Sequence, residues 1–220
     1  MVTVRTDHSV SEIIASGQKK FLVEYFTNGT STKDITIDDH ATLTYLIVCT
    51  DTAAVTINCH LRAHSRATIY ALCVGTPSST LSLTLHSHLE ADHAVADMHI
   101  VTFLRSHSTC TIDGGVEIHK HVQKVEGYLL EENIILDDDV RIHTIPRLNV
   151  ASNDVKASHG ARIEKLDEKK LFYLMSKGIA KRDAKKLMIA WYFNTFFAPF
   201  ETDNEAITAY KQTVLERITA

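Results

Sequence analysis

Imidazoles and thiols are the groups in this sequence best suited to chemistry, and their spacing limits what that chemistry can be. The chain holds 13 histidines. His86-x-His88 and His119-x-His121 each put two imidazoles on one face of a strand, because strand side chains alternate sides. Paired imidazoles suit zinc, and His119 and His121 stand as metal candidates, but two ligands do not make a site. The remaining histidines read mostly as surface corners. His159 stands beside Gly160, where a strand pattern passes toward a helical one, and on its residues alone it reads as a hydrogen-bonded turn histidine. The 4 cysteines, Cys49, Cys59, Cys73 and Cys110, form no Cys-x-x-Cys pair, which excludes zinc-ribbon and thioredoxin-like chemistry. Cys59 and Cys73 follow neighbouring strands and could face one interior, an arrangement suited to sulfur transfer. The plainer reading of all four is a small buried hydrophobe.

Other classes are excluded by charge and pattern. There are 23 basic against 27 acidic residues, a formal charge of −4, and no basic stripe to track phosphates, so no nucleic-acid partner is expected. No Gly-x-x-x-x-Gly-Lys-Ser/Thr loop occurs, so the chain itself is expected to bind no nucleotide. Met1 to Lys20 holds no continuous apolar run of the kind a secretory leader needs. The most apolar stretch, Leu187 to Phe200, is broken by Asn194, Thr195 and Pro199 and falls short of the ~20 residues that span a bilayer. These features predict a soluble, cytoplasmic protein with reduced thiols and no membrane association.

Two regions with different patterning must position these groups. Leu43–Val48, Val55–Cys59, Ala67–Cys73 and Leu81–Leu85 are short, β-branched and alternating, and they begin about twelve residues apart. Further strands are predicted near His99–Leu104, Cys110–Ile112, Gly115–Ile118, Val125–Leu129, Ile134–Leu136 and Leu148–Val150. Hairpin dipeptides are scarce: Asn28-Gly29 and Asp113-Gly114 alone have the sequence of a tight turn. Polar elbows such as Thr50-Asp51-Thr52 and Arg62 to Arg66 suit the corners of a parallel coil better, although a sandwich has similar patterning. Helical patterning follows. Asp167 caps a helix through Leu171–Met175 that Gly178 stops. A second helix covers about residues 181–197. A third, Glu205 to Ile218, spaces Ile207, Tyr210, Val214 and Ile218 along one face. His8 to Ser16 is predicted as a short helix and Phe21–Tyr25 as the first strand. The expected domains are a lead-in over 1–40, a β core over 41–163 and a helical part over 164–220.

The stretch Leu187-Met-Ile-Ala-Trp-Tyr-Phe-Asn-Thr-Phe-Phe197 is apolar nearly all round. A small helical part can scarcely bury such a helix on every side. Leu187, Trp191, Tyr192 and Phe196 are therefore candidates for a partner-binding surface.

Arg141-Ile-His-Thr-Ile-Pro-Arg-Leu-Asn-Val150 followed by Asn153-Asp-Val-Lys-Ala-Ser-His-Gly-Ala161 resembles the signature of the SufB/SufD family, the core of the SUF system for iron–sulfur cluster assembly. Glu126-Gly127, Asn133-Ile-Ile-Leu136 and the segment Leu166 to Ile179 fit the same family in the same order, from about Gly114 to Phe197. The resemblance implies a mainly β fold, a right-handed parallel β-helix (β-solenoid) with a C-terminal α-helical appendage. It implies a dimer, either with a SufB/SufD-type homologue or with itself, formed through the β-helix. It further implies docking of a SufC-type ABC ATPase on the C-terminal helices, and a transient iron–sulfur cluster shared with a partner chain. In SufD the histidine of the Ser-His-Gly-Ala motif is associated with cluster formation at the pair interface, which makes His159 the cluster and metal candidate. One imidazole cannot hold a cluster that ordinarily needs thiolates, so further ligands would come from a partner.

Several features depart from the family pattern. Ala157 stands where many members have cysteine, no cysteine occurs in Val140 to Pro146, and little chain precedes the β-helix. These point to a SufD-like or compact ancestral-type homologue acting as a scaffold rather than an enzyme. Two other readings remain. One is a histidine–zinc β-helix enzyme built on His86, His88, His119 or His121 around an activated water, although the six-residue repeat of a left-handed coil is absent. The other is a purely structural β-solenoid oligomer.

Overall fold

Short alternating runs separated by polar corners fold here into the rungs of a parallel coil. The computed structural model describes residues 2–6, 11–200 and 205–219. Eleven strands occur among them: β1 (Val2–Thr6), β2 (Glu12–Ile14), β3 (Lys19–Ile37), β4 (Thr42–Leu61), β5 (Arg66–Gly75), β6 (Thr80–Leu89), β7 (Val95–Leu104), β8 (Thr109–Ile118), β9 (Gln123–Ile135), β10 (Arg141–Val150) and β11 (Asp154–Lys165). Every pairing is parallel. One broad face stacks the first halves of β3 and β4, then β5, β7, β9 and β11. The opposite face stacks their second halves, then β6, β8 and β10. Each coil thus spends two strands, and the roughly twelve-residue spacing of the early strands is half a coil. The fold is a parallel β-solenoid with helices at its C-terminal end.

Parallel register puts like side chains in line from coil to coil. Tyr45, Ile69, Met98 and Leu129 form one inward column, and the interior is otherwise filled by residues such as Leu43, Ile57, Leu83 and Ile112. A second apolar layer explains why some strands are apolar without alternation. Leu46, Val48, Leu72, Val74, Val101 and Phe103 point outward from the first face and are covered by the helices. Runs such as Tyr45–Thr50 and Ile100–Leu104 are therefore buried on both sides. The helices are α1 (Glu168–Ser176), α2 (Lys181–Phe197) and α3 (Glu205–Thr219), with a short 3-10 turn at Ala198–Phe200. Asp167 accepts from the Lys169 and Lys170 amides as the cap of α1. Gly178, at φ 85°, takes the left-handed position that ends it. Val214 and Ile218 of α3 are buried, while the side chains of Ile207 and Tyr210 lie outside those described.

Several expectations change. Of the predicted helix at His8 to Ser16, residues 8–10 lie outside the described residues, and Glu12–Ile14 is a strand pairing with Ile35–Ile37. Asp113-Gly114 makes no hairpin, and the runs on either side of it fuse into β8. Gly115 permits this, because a side chain there would strike the His86 ring of the neighbouring coil, its Cβ 2.7 Å from Cδ2. Asn28-Gly29 lies at the bend where β3 leaves one face for the other. Corners are instead turned by left-handed residues, among them His40, His64 and His93, whose rings stack at 4.7 and 4.5 Å.

Candidate functional site

β10 and β11 form the last coil, and each pairs on one side only, with β8 and β9. Their other edges carry backbone donors and acceptors with no further strand to meet. His159 lies in the middle of β11, not in a turn, and its rung partner is Leu129. It therefore ends the inward column of Tyr45, Ile69, Met98 and Leu129. Val155 and Ala157, four and two residues earlier on the same side, pack against the core. His159 is exposed, and among the described residues no further strand stacks on it. An imidazole is thus presented at the open mouth of the solenoid interior, where a second chain could cover it.

Polar groups gather just inside that mouth. Glu131 is fully buried, and its carboxylate accepts a hydrogen bond from Thr144 through Oε2. Its other oxygen has no hydrogen-bond partner among the described residues, like Thr102 Oγ1 and Asn133 Oδ1. Burial pushes the Glu131 carboxyl up to about 7, against the Thr144 bond that draws it down. Gly114 makes room for it, since a Cβ there would stand 2.3 Å from Oε1. No spacing rule marks a single inward glutamate, so sequence reasoning passed over it.

All four cysteines are free and buried. Cys73 does not stack with Cys59. Its rung partner is Cys49, and hydrogen bonds link it to Cys110 and Cys49. Giving those bonds, together with burial, holds Cys49 and Cys110 well above the usual thiol range. Cys73, which receives both, is drawn below that range. Burial pushes Cys59 up to about 12 despite the Lys33 ammonium nearby.

The opposite broad face carries the other histidines. His60, His88 and Glu117 occupy one outward column of rungs, and His119 follows at the corner after β8. His60 stacks on His88 at 4.8 Å, and His60 Nδ1 bonds Glu90 at 2.7 Å. His86 faces Asp113, which Arg147 grips through two bonds of 2.6 and 3.0 Å. His121 turns the next corner at φ 66°.

Helix α2 divides its apolar residues between two sides. Ala184, Met188, Ile189, Phe193, Phe196 and Phe197 face the solenoid. Phe196 is only 4% exposed and packs its ring edge on Tyr70, so it does not join the outer surface. Leu187 and Trp191 face outward at 53% and 57% exposure, beside Tyr173 of α1. With Lys170, Leu174, Met188 and Tyr192 they line an apolar groove of about 430 Å³ between α1 and α2. No helix among the described residues is long and apolar enough to cross a membrane.

Residues 27–191 match the family model described as the SUF system FeS cluster assembly, SufBD core domain. Among curated proteins, the iron-sulfur cluster assembly protein SufD of Escherichia coli (strain K12) is 30% identical over 117 residues, 53% of this chain and 26% of the relative. The chloroplastic protein ABCI7 of Arabidopsis thaliana is 29% identical over 126 residues, 56% of this chain and 26% of its own length. A SufBD family protein of Methanothermobacter thermautotrophicus is 24% identical over 131 residues, 60% of this chain and 32% of the relative. The matched stretch thus spans between a quarter and a third of each of these relatives.

Proposed function

The chain belongs to the family that shares the SufBD core domain of the SUF system, and from that membership we propose that it is a non-catalytic scaffold subunit for iron–sulfur cluster assembly. It pairs with a SufB/SufD-type homologue, or with a second copy of itself, through the open last coil. A SufC-type ABC ATPase docks on the outward face of α1 and α2. The cluster is cargo, held transiently between chains and not by this chain alone.

The observation that carries this reading is the position of His159, on the unpaired last rung at the mouth of the interior. Cluster assembly needs several donors around the iron, chiefly thiolates. This chain brings one imidazole to that edge while its four thiols stay buried deeper in the coil. A partner strand laid against β11 would bring its own donors to the same place. The groove at Trp191 supports the docking part, because exposed apolar patches of this kind mark partner surfaces.

Anaerobic reconstitution with iron and sulfide, followed by visible absorption, tests the cluster claim. The complex with the homologue and the ATPase should develop charge-transfer bands that are reduced at least tenfold by His159→Ala. Co-purification of the ATPase should be unchanged by that substitution. Full absorption by the His159→Ala complex would refute the ligand role.

A further inference from the structure

We propose that His88, Glu117 and His119 form a binding site for one divalent first-row transition-metal ion on the outer face of the solenoid, opposite the helical layer. Their donor atoms all lie within 4.8 Å of one another, and among the described residues this is the one triplet of His, Cys, Asp and Glu close enough to share an ion. His88 and Glu117 are rung partners on β6 and β8, so parallel register holds them side by side. His88 Nδ1 already lies 3.1 Å from Glu117 Oε2. Donors around a tetrahedral ion with bonds of about 2.1 Å stand ~3.4 Å apart, so side-chain rotations, of the exposed Glu117 above all, suffice to close the set.

The surroundings fit the donors. His119 is pinned at the corner by its amide bond to the Leu89 carbonyl at 3.1 Å. His88 is backed by the stacked His60 ring, which is itself held by Glu90. The fourth side is open: Glu117 also borders a cleft of about 300 Å³ that contains Arg147 and Asn149. Two imidazoles and a carboxylate with open positions suit Zn²⁺, Co²⁺ and Fe²⁺ rather than Mg²⁺ or Ca²⁺.

The test is an anaerobic titration of the full chain with Co²⁺, read by visible absorption, repeated with Zn²⁺ and Fe²⁺ by calorimetry. One equivalent should bind, and both His119→Ala and the isosteric Glu117→Gln should weaken it at least tenfold. His64→Ala, which breaks the stacked corner histidines, and His159→Ala should leave it intact. Binding that survives both ligand substitutions overturns the proposal. So does binding abolished by His64→Ala, or no binding of any of the three ions at micromolar concentration. Circular dichroism of each variant separates ligand loss from misfolding, and Glu117, 48% exposed, can change without touching the core. The outcome is independent of cluster assembly, because His159 lies on a different rung and face.

Discussion

A buried carboxyl with one unpaired oxygen is the residue with the clearest signature in solution. Glu131 keeps its proton to about pH 7 in the fold, whereas an unfolded glutamate loses it near ~4.3. A raised folded value gives stability that is complete below the unfolded value and lost as pH rises through about 7. Wild-type stability should therefore fall between pH 5 and 8 by about 2 kcal/mol more than that of Glu131→Gln, measured by urea unfolding at each pH. Equal slopes would show that the carboxyl is not held neutral. Little of this was legible beforehand, because an inward glutamate on a strand differs in nothing but register from an outward one. The same holds for the thiols. Cys59 and Cys73 do share the interior, but which thiols meet depends on the coil, which brings Cys73 beside Cys49, one full turn away. His159 was found by its motif, but its place on an edge rung rather than in a turn depended on β11 extending to Lys165.

Helix α2 shows where patterning alone was ambiguous. Its apolar residues run nearly all round, and that composition cannot tell which side meets the solenoid. The outward residues Val48, Leu72 and Phe103 decide it, and Val48 and Leu72 stood in runs read as alternating with one buried face. Two substitutions separate the sides. Phe193→Ala empties a fully buried site and should cost about 3–5 kcal/mol in thermal or urea unfolding. Trp191→Glu lies in the exposed groove and should change stability by no more than ~0.5 kcal/mol, yet abolish co-purification of the ATPase. A Trp191→Glu chain that still retains the ATPase would place docking elsewhere. Strand β8 makes a matching case. Gly114→Ala drives a Cβ against Glu131, and Gly115→Ala drives one against His86. Each should destabilise by about 1–3 kcal/mol.

At the scale of the whole molecule, a solenoid buries each coil against the next, so its ends decide what it does with other chains. The parallel coil was legible from even strand spacing, scarce hairpin dipeptides and polar corners. Which edges stay open was not, because that depends on how many rungs stack on each face. β10 and β11 end the stack with Val150 and Ile163 exposed at 45% and 50%. Two exposed β-branched residues on unpaired strands invite pairing by strand addition, and charge on such an edge blocks it. Val150→Lys with Ile163→Lys should therefore shift the chain from dimer to monomer in light scattering at micromolar concentration. The melting temperature of the monomer should stay within a few degrees of wild type, since both side chains are about half exposed at the end of the stack. Loss of the dimer should also remove the cluster absorption that depends on His159, while ATPase docking on α1 and α2 persists. A double variant that remains dimeric would move the pairing surface away from the last coil, and the role of His159 with it.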